Sequence, residues 1–101
     1  MLPETQHFDR KSLRKVTGKT TAWAELALDC VCFANAQGGS LWIGVEDGQP
    51  LPPLGQAIPA GLVEQVRKRM QELTVNVQVA PRVVVAANGA EFIELAVAGG
   101  G

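Results

Sequence analysis

Asp9 and Lys11 stand two residues apart, with His7 before them and Arg10 between them. Residues two apart share one face of a strand. A D-x-K pair in extended chain therefore sets a carboxylate beside an ammonium. That arrangement serves metal-assisted hydrolysis, in which carboxylates hold Mg²⁺ or Mn²⁺ and a lysine offsets developing charge. It serves equally as a surface ion pair. His7, the lone histidine in a polar segment, reads as a surface group. An acidic pair, Glu46-Asp47, ends an apolar run and invites a metal reading of its own. The twin glycine Gly38-Gly39 invites a phosphate-loop reading, which its context rejects. A Walker-type loop needs G-x-x-x-x-G-K-[ST] between a strand and a following helix. Here the glycines follow a helical pattern and precede a strand pattern, so the anion-attracting helix N-terminus is missing. ATP is not expected.

Charge is informative through its placement. The formal net charge is -1, yet Arg10, Lys11, Arg14, Lys15 and Lys19 supply five of the nine basic residues. Arg67, Lys68 and Arg69 form a second cluster, and Arg82 stands apart. A near-neutral chain can still present a local positive face to phosphates, with affinity that is salt-sensitive and mostly sequence-independent. Trp42 is a base-stacking candidate if exposed, although its apolar surroundings favour the core. Cys30 and Cys32 lie roughly 200° apart around a helix axis and cannot readily pair with each other. Cys30 reads as a small core residue. Unpaired cysteines fit a reducing, cytoplasmic compartment. No apolar run approaches the length of a membrane span.

These residues need elements to position them. With 101 residues, 47% hydrophobic and 19% charged, the chain suits one small domain spanning 1–101. Residues 1–19 form a basic N-terminal segment, with an edge strand over 6–13 and a loop over 15–20. Thr20 or Thr21 caps a helix whose inward residues are Trp23, Leu26, Ala27, Cys30, Val31, Phe33 and Ala34, with Glu25 and Asp29 on the wet side. Ser40 to Val45 is a short strand covered on both faces. Residues 46–60 hold Pro50, Pro52, Pro53 and Pro59 and form a loop, long enough to suggest function or mobility. A second helix runs from Gly61 to Leu73, with Leu62, Val63, Val66, Met70 and Leu73 inward. Val75, Val77 and Val79 alternate as a strand until Pro81 interrupts. A hairpin follows, with strands over 82–87 and 91–97 about Asn88-Gly89. Residues 98–101 are a tail. The expected fold is α+β: two layers, a small mixed sheet with two helices, in the order β-α-β-α-β-β-β.

The stretch FANAQGGSLWIGVEDG resembles the signature of the Schlafen AlbA_2 domain, a DNA-binding domain of bacterial transcriptional regulators once labelled a divergent AAA domain. In that family a helix ending A-F-A-N-x-x-G-G leads into a strand ending G-V-x-D-x-G. Here those are Phe33-Ala34-Asn35, Gly38-Gly39, Gly44-Val45, Asp47 and Gly48. The family opens with a glutamate, four residues, then E-F-K. This chain has Glu4, then Asp9-Arg10-Lys11, so Asp9 replaces Glu and Arg10 replaces an aromatic.

The resemblance implies nucleic-acid binding, DNA before RNA, with no cofactor. The candidate contacts are Arg10, Lys11, Arg14, Lys15 and Lys19, then Arg67, Lys68 and Arg69. The alternative it implies is Schlafen-like RNA cleavage, with Glu4, Asp9, Lys11 and Asp47 as the catalytic set and Mg²⁺ or Mn²⁺ held by Glu4, Asp9 and Asp47. A third expectation is a dimerisation module, since open sheet edges can pair between subunits. Family members continue into helicase-like or winged-helix regions, so a place in a longer multidomain protein is also expected.

Overall fold

The computed structural model describes residues 7–17 and 22–99. Glu4, Lys19, the expected caps Thr20 and Thr21, and residues 100–101 lie outside the described residues. The elements in chain order are β1 (His7–Lys11), α1 (Arg14–Thr17), α2 (Trp23–Asn35), β2 (Gly39–Ile43), α3 (Leu62–Leu73), β3 (Val79–Val85) and β4 (Glu91–Val97). They form a mixed sheet in the order β1-β2-β4-β3, with β1 and β3 at its edges. β1 pairs with β2 in parallel, Asp9 opposite Leu41 and Lys11 opposite Ile43. The other two pairings are antiparallel.

Alternation along each strand divides the sheet into two faces. Leu41 and Ile43 from β2, with Ile93, Leu95 and Val97 from β4, meet Leu26, Ala27, Cys30 and Phe33 of α2 and Leu62, Val66 and Met70 of α3. Leu26, Leu41, Ile43, Met70, Ile93 and Leu95 are fully buried. Each such side chain contributes about 1.5–3 kcal/mol. The opposite parity, Phe8, Arg10, Trp42, Phe92, Glu94, Arg82 and Val84, points away from this core. Among the described residues no helix covers that face.

The α+β class and the mixed sheet agree with the expectation; the element order differs in two places, an added helix and a missing strand. The expected loop over 15–20 begins as a helical turn, α1, because Val16 is drawn into the core. This makes three helices. The N-cap of α2 is Ala22, whose amide donates to the Lys15 carbonyl at 2.7 Å. Backbone pairing with α1 thus takes the place of a side-chain cap. The valine alternation at 75–79 forms no strand of its own. Asn76 has φ 58, which breaks the extended run, and Val75 is 84% exposed. Instead β3 runs through Pro81, which is tolerated because this edge strand needs ladder donors on one side only. Leu73 is 48% exposed, so α3 buries a narrower stripe than its pattern suggests.

Two turns decide how the sheet is bounded. Gly38 has φ 85, and a Cβ there would lie 2.7 Å from the Val97 carbonyl oxygen. The twin glycine thus lets the end of α2 close against the end of β4. The hairpin forms as expected: the Ala86 amide donates to the Ala90 carbonyl, and Ala90 donates to the Asn88 side chain. The proline-rich loop is pinned rather than loose. The Gln56 Nε2 donates to the Gly44 carbonyl at 2.9 Å and to the Glu91 carbonyl at 2.8 Å. The Ile58 amide donates to Glu91 Oε1, and Asn88 Nδ2 donates to the Pro52 carbonyl.

Candidate nucleic-acid interface

β1 carries the chemistry of the N-terminal segment and sorts it by parity. Asp9 and Lys11 point toward α2; Phe8 and Arg10 point to the helix-free face.

On the helix side, Lys11 Nζ lies 3.3 Å from Asp9 Oδ2, 3.2 Å from Glu25 Oε2 and 3.2 Å from Asp29 Oδ2. Lys15 Nζ lies 3.3 Å from Glu25 Oε1. Glu25 and Asp29 are four apart on α2, so they rise one above the other beside β1. The Lys11 side chain is only 16% exposed. Burial pushes its ammonium toward deprotonation, but hydrogen bonds to Asp29, Glu25 and Asp9 and the Asp29 charge outweigh that and raise its pKa above the ordinary lysine value. Hydrogen bonds from Lys11 and then Lys15 hold the Glu25 carboxyl below its ordinary value. The D-x-K pair is therefore part of a network tying β1 to α2. Three carboxylates face two lysines, so this side offers no surplus of positive charge.

The hydrolytic set is not brought together by the described residues. Glu4 lies outside them, and Lys11 gathers Asp9 with Glu25 and Asp29 rather than with Asp47. Asp47 is exposed in the loop after β2, beside Glu46 and Pro50 on a surface dent. Among the described residues no three His, Cys, Asp or Glu side chains gather to hold a metal ion.

The other basic residues divide in the same manner. Arg67 pairs with Glu64, and Arg69 pairs with Glu72 while lying 6.0 Å from the Trp23 ring. Arg82 Nη2 lies 2.7 Å from Glu94 Oε1. Arg10, Arg14 and Lys68 have no carboxylate partner among the described residues. Arg10 instead stacks its guanidinium 4.9 Å from the Phe8 ring and 5.6 Å from the Trp42 ring. Trp42 meets Phe8 edge-on at 4.8 Å and Phe92 at 4.9 Å. An aromatic row thus crosses β1, β2 and β4. Arg10 Nε and Trp42 Nε1 are each shielded from solvent with no hydrogen-bond partner among the described residues.

The sequence pointed to Arg10 but missed Phe8 and Phe92, and it favoured a core position for Trp42. Trp42 is half-buried on the face away from the helices. Its parity, opposite to Leu41 and Ile43, was the signal available. Glu25 and Asp29 were placed on the wet side; their spacing was the clue that both reach Lys11.

Cys30 is buried in the core as expected, whereas Cys32 is exposed. Cys30 and Cys32 are free, and burial, then the Asp29 charge, push the Cys30 thiol up to about 12. Among the described residues no helix is long and apolar enough to cross a membrane. Residues 4–97 match the family described as Schlafen, AlbA_2. No curated protein matches the chain.

Proposed function

The chain belongs to the Schlafen AlbA_2 family, and from that premise we propose that it is a nucleic-acid-binding domain whose polymer is DNA and whose setting is a bacterial transcriptional regulator. The observation that carries this reading is the division of the cations. Lys11, Lys15, Arg67, Arg69 and Arg82 spend their charge on carboxylates of the same chain. Arg10, Arg14 and Lys68 do not, and are the groups left for phosphates. Lys11 and Lys15 shift from ligand contacts to supports that hold β1 and α1 against α2. A homodimer through the open edge of β1 or β3 would double these contacts.

Fluorescence anisotropy with labelled DNA and RNA of equal length tests the reading. Arg14→Gln should weaken binding and lower the salt slope by about one. Lys15→Gln, whose partner is Glu25, should change the slope less. Equal affinity for wild type, Arg10→Gln, Arg14→Gln and Lys68→Gln at low salt would sink the proposal.

A further inference from the structure

The helix-free face of the sheet is built differently from a solvated face. Phe8 is 47% exposed on an edge strand, and Trp42 and Phe92 extend its row inward. Beside the row lies a groove of about 370 Å³ whose walls include Trp42, Phe92, Arg82, Val84, Leu51 and Pro52. The last two come from the pinned loop, so the groove has a fixed far wall. The strand positions on this face carry two arginines, Arg10 and Arg82, against one acid, Glu94. The carboxylates Asp9, Glu25 and Asp29 all lie on the other side of β1 or beyond it.

From this we infer that the helix-free face binds unpaired bases of single-stranded nucleic acid, with bases stacked along Phe8, Trp42 and the groove and phosphates met by Arg10, while Arg82 stays paired with Glu94. This deepens the nucleic-acid-binding reading and rests on it. Every base has a π-face, so stacking on aromatic side chains beside cations gives affinity for single strands with little sequence preference. In a duplex the faces of the bases are already stacked on one another. The Arg10 guanidinium lies over the Phe8 ring, so a cation and a half-exposed aromatic face stand side by side at the edge of the sheet. Flat rings beside a cation favour this occupant over an acidic peptide, which would use the cation alone, and over a bare aliphatic segment, which would use neither ring faces nor charge.

The test uses the full chain carrying Trp23→Phe, which leaves Trp42 as the one tryptophan of the two. The probes are a twelve-nucleotide oligo-dT, an oligo-U of the same length, a duplex of that length, and inorganic polyphosphate. The inference predicts that both single strands quench Trp42 fluorescence, while duplex and polyphosphate leave it unchanged. Phe8→Ala should weaken single-strand binding by about 5- to 140-fold, the range for losing one stacking partner. Arg10→Gln should weaken it as well while leaving the circular dichroism spectrum unchanged. If Phe8→Ala does not fold, the Trp42 response with Phe8 intact still decides. Equal binding of duplex and single strand, with Trp42 silent, would overturn the stacking inference and leave nucleic-acid binding standing. No binding of any polymer would overturn both. Self-association that buries Trp42 and is abolished by Phe8→Ala would assign the face to a second copy and overturn the inference.

Discussion

Replacing Gly44 by alanine should cost about 3–5 kcal/mol of stability, and the cost can be assembled from two parts. Gly44 has φ 112, a conformation that side-chain-bearing residues rarely adopt; strain of this kind costs about 1–3 kcal/mol. The new methyl would also lie 2.8 Å from Gln56 Nε2 and 3.3 Å from Phe92 Cβ. A flexible amide could ordinarily swing aside at little cost. This one donates to the carbonyls of Gly44 and Glu91, so moving it forfeits two hydrogen bonds worth about 1 kcal/mol each. A domain of this size has a total stability of about 5–15 kcal/mol. The variant should therefore melt more than about 10 °C below wild type. Urea and thermal unfolding followed by tryptophan fluorescence measure it. Gln56→Ala alone should cost about 2 kcal/mol. Because the methyl finds room once Gln56 is gone, the double variant should lose less than the sum of the two single losses. A Gly44→Ala loss below about 0.5 kcal/mol, or strict additivity, would refute the clamp.

Further outcomes follow from the β1–α2 network. Lys11→Met should cost about 1–2 kcal/mol, between the ranges for exposed and buried pairs, as read by urea unfolding. The same network sets a pH dependence. Glu25 is held below its ordinary 4.5, so its contribution is present above that pH and lost as pH falls through the folded value. Lys11 is held above its ordinary 10.5, so its contribution is present below that pH and lost as pH rises through the folded value. Acid unfolding should flatten in Lys11→Met; an unchanged acid profile would remove Lys11 as the cause. With Mn²⁺ and single-stranded RNA, no cleavage is expected, because among the described residues no three His, Cys, Asp or Glu side chains gather to hold the metal. Cleavage by wild type that disappears in Asp9→Ala would favour the hydrolytic set.

What was legible in the sequence was what local chemistry decides. The two main helices follow from apolar spacing, and the hairpin follows from Asn88-Gly89. Cys30 lies in the core, as its helical neighbours imply. The glycine pair is architecture, as its place at the end of a helix and not at its start implies. What was illegible depends on partners distant in sequence. The alternating valines at 75–79 look like a strand until Asn76 takes a left-handed conformation. Pro81 looks like an interruption until the sheet order puts β3 at an edge. The proline-rich loop looks loose because Gln56 and Glu91 are 35 positions apart. The site suffered most. Five basic residues at the N-terminus read as one positive surface, but strand parity sends Lys11 to the acids of α2 and Arg10 to the aromatic row. No count of charges could separate them, because α2 supplies the acids only after folding.

The most direct measurement of the central claim is the affinity of the chain for a single-stranded oligonucleotide between 50 and 200 mM salt. Three phosphate contacts, from Arg10, Arg14 and Lys68, predict that log K falls linearly with log salt with a slope of about −2. The slope should also shrink in the triple glutamine variant. Absence of binding at the lowest salt, or binding whose strength ignores both salt and these three cations, would contradict that claim.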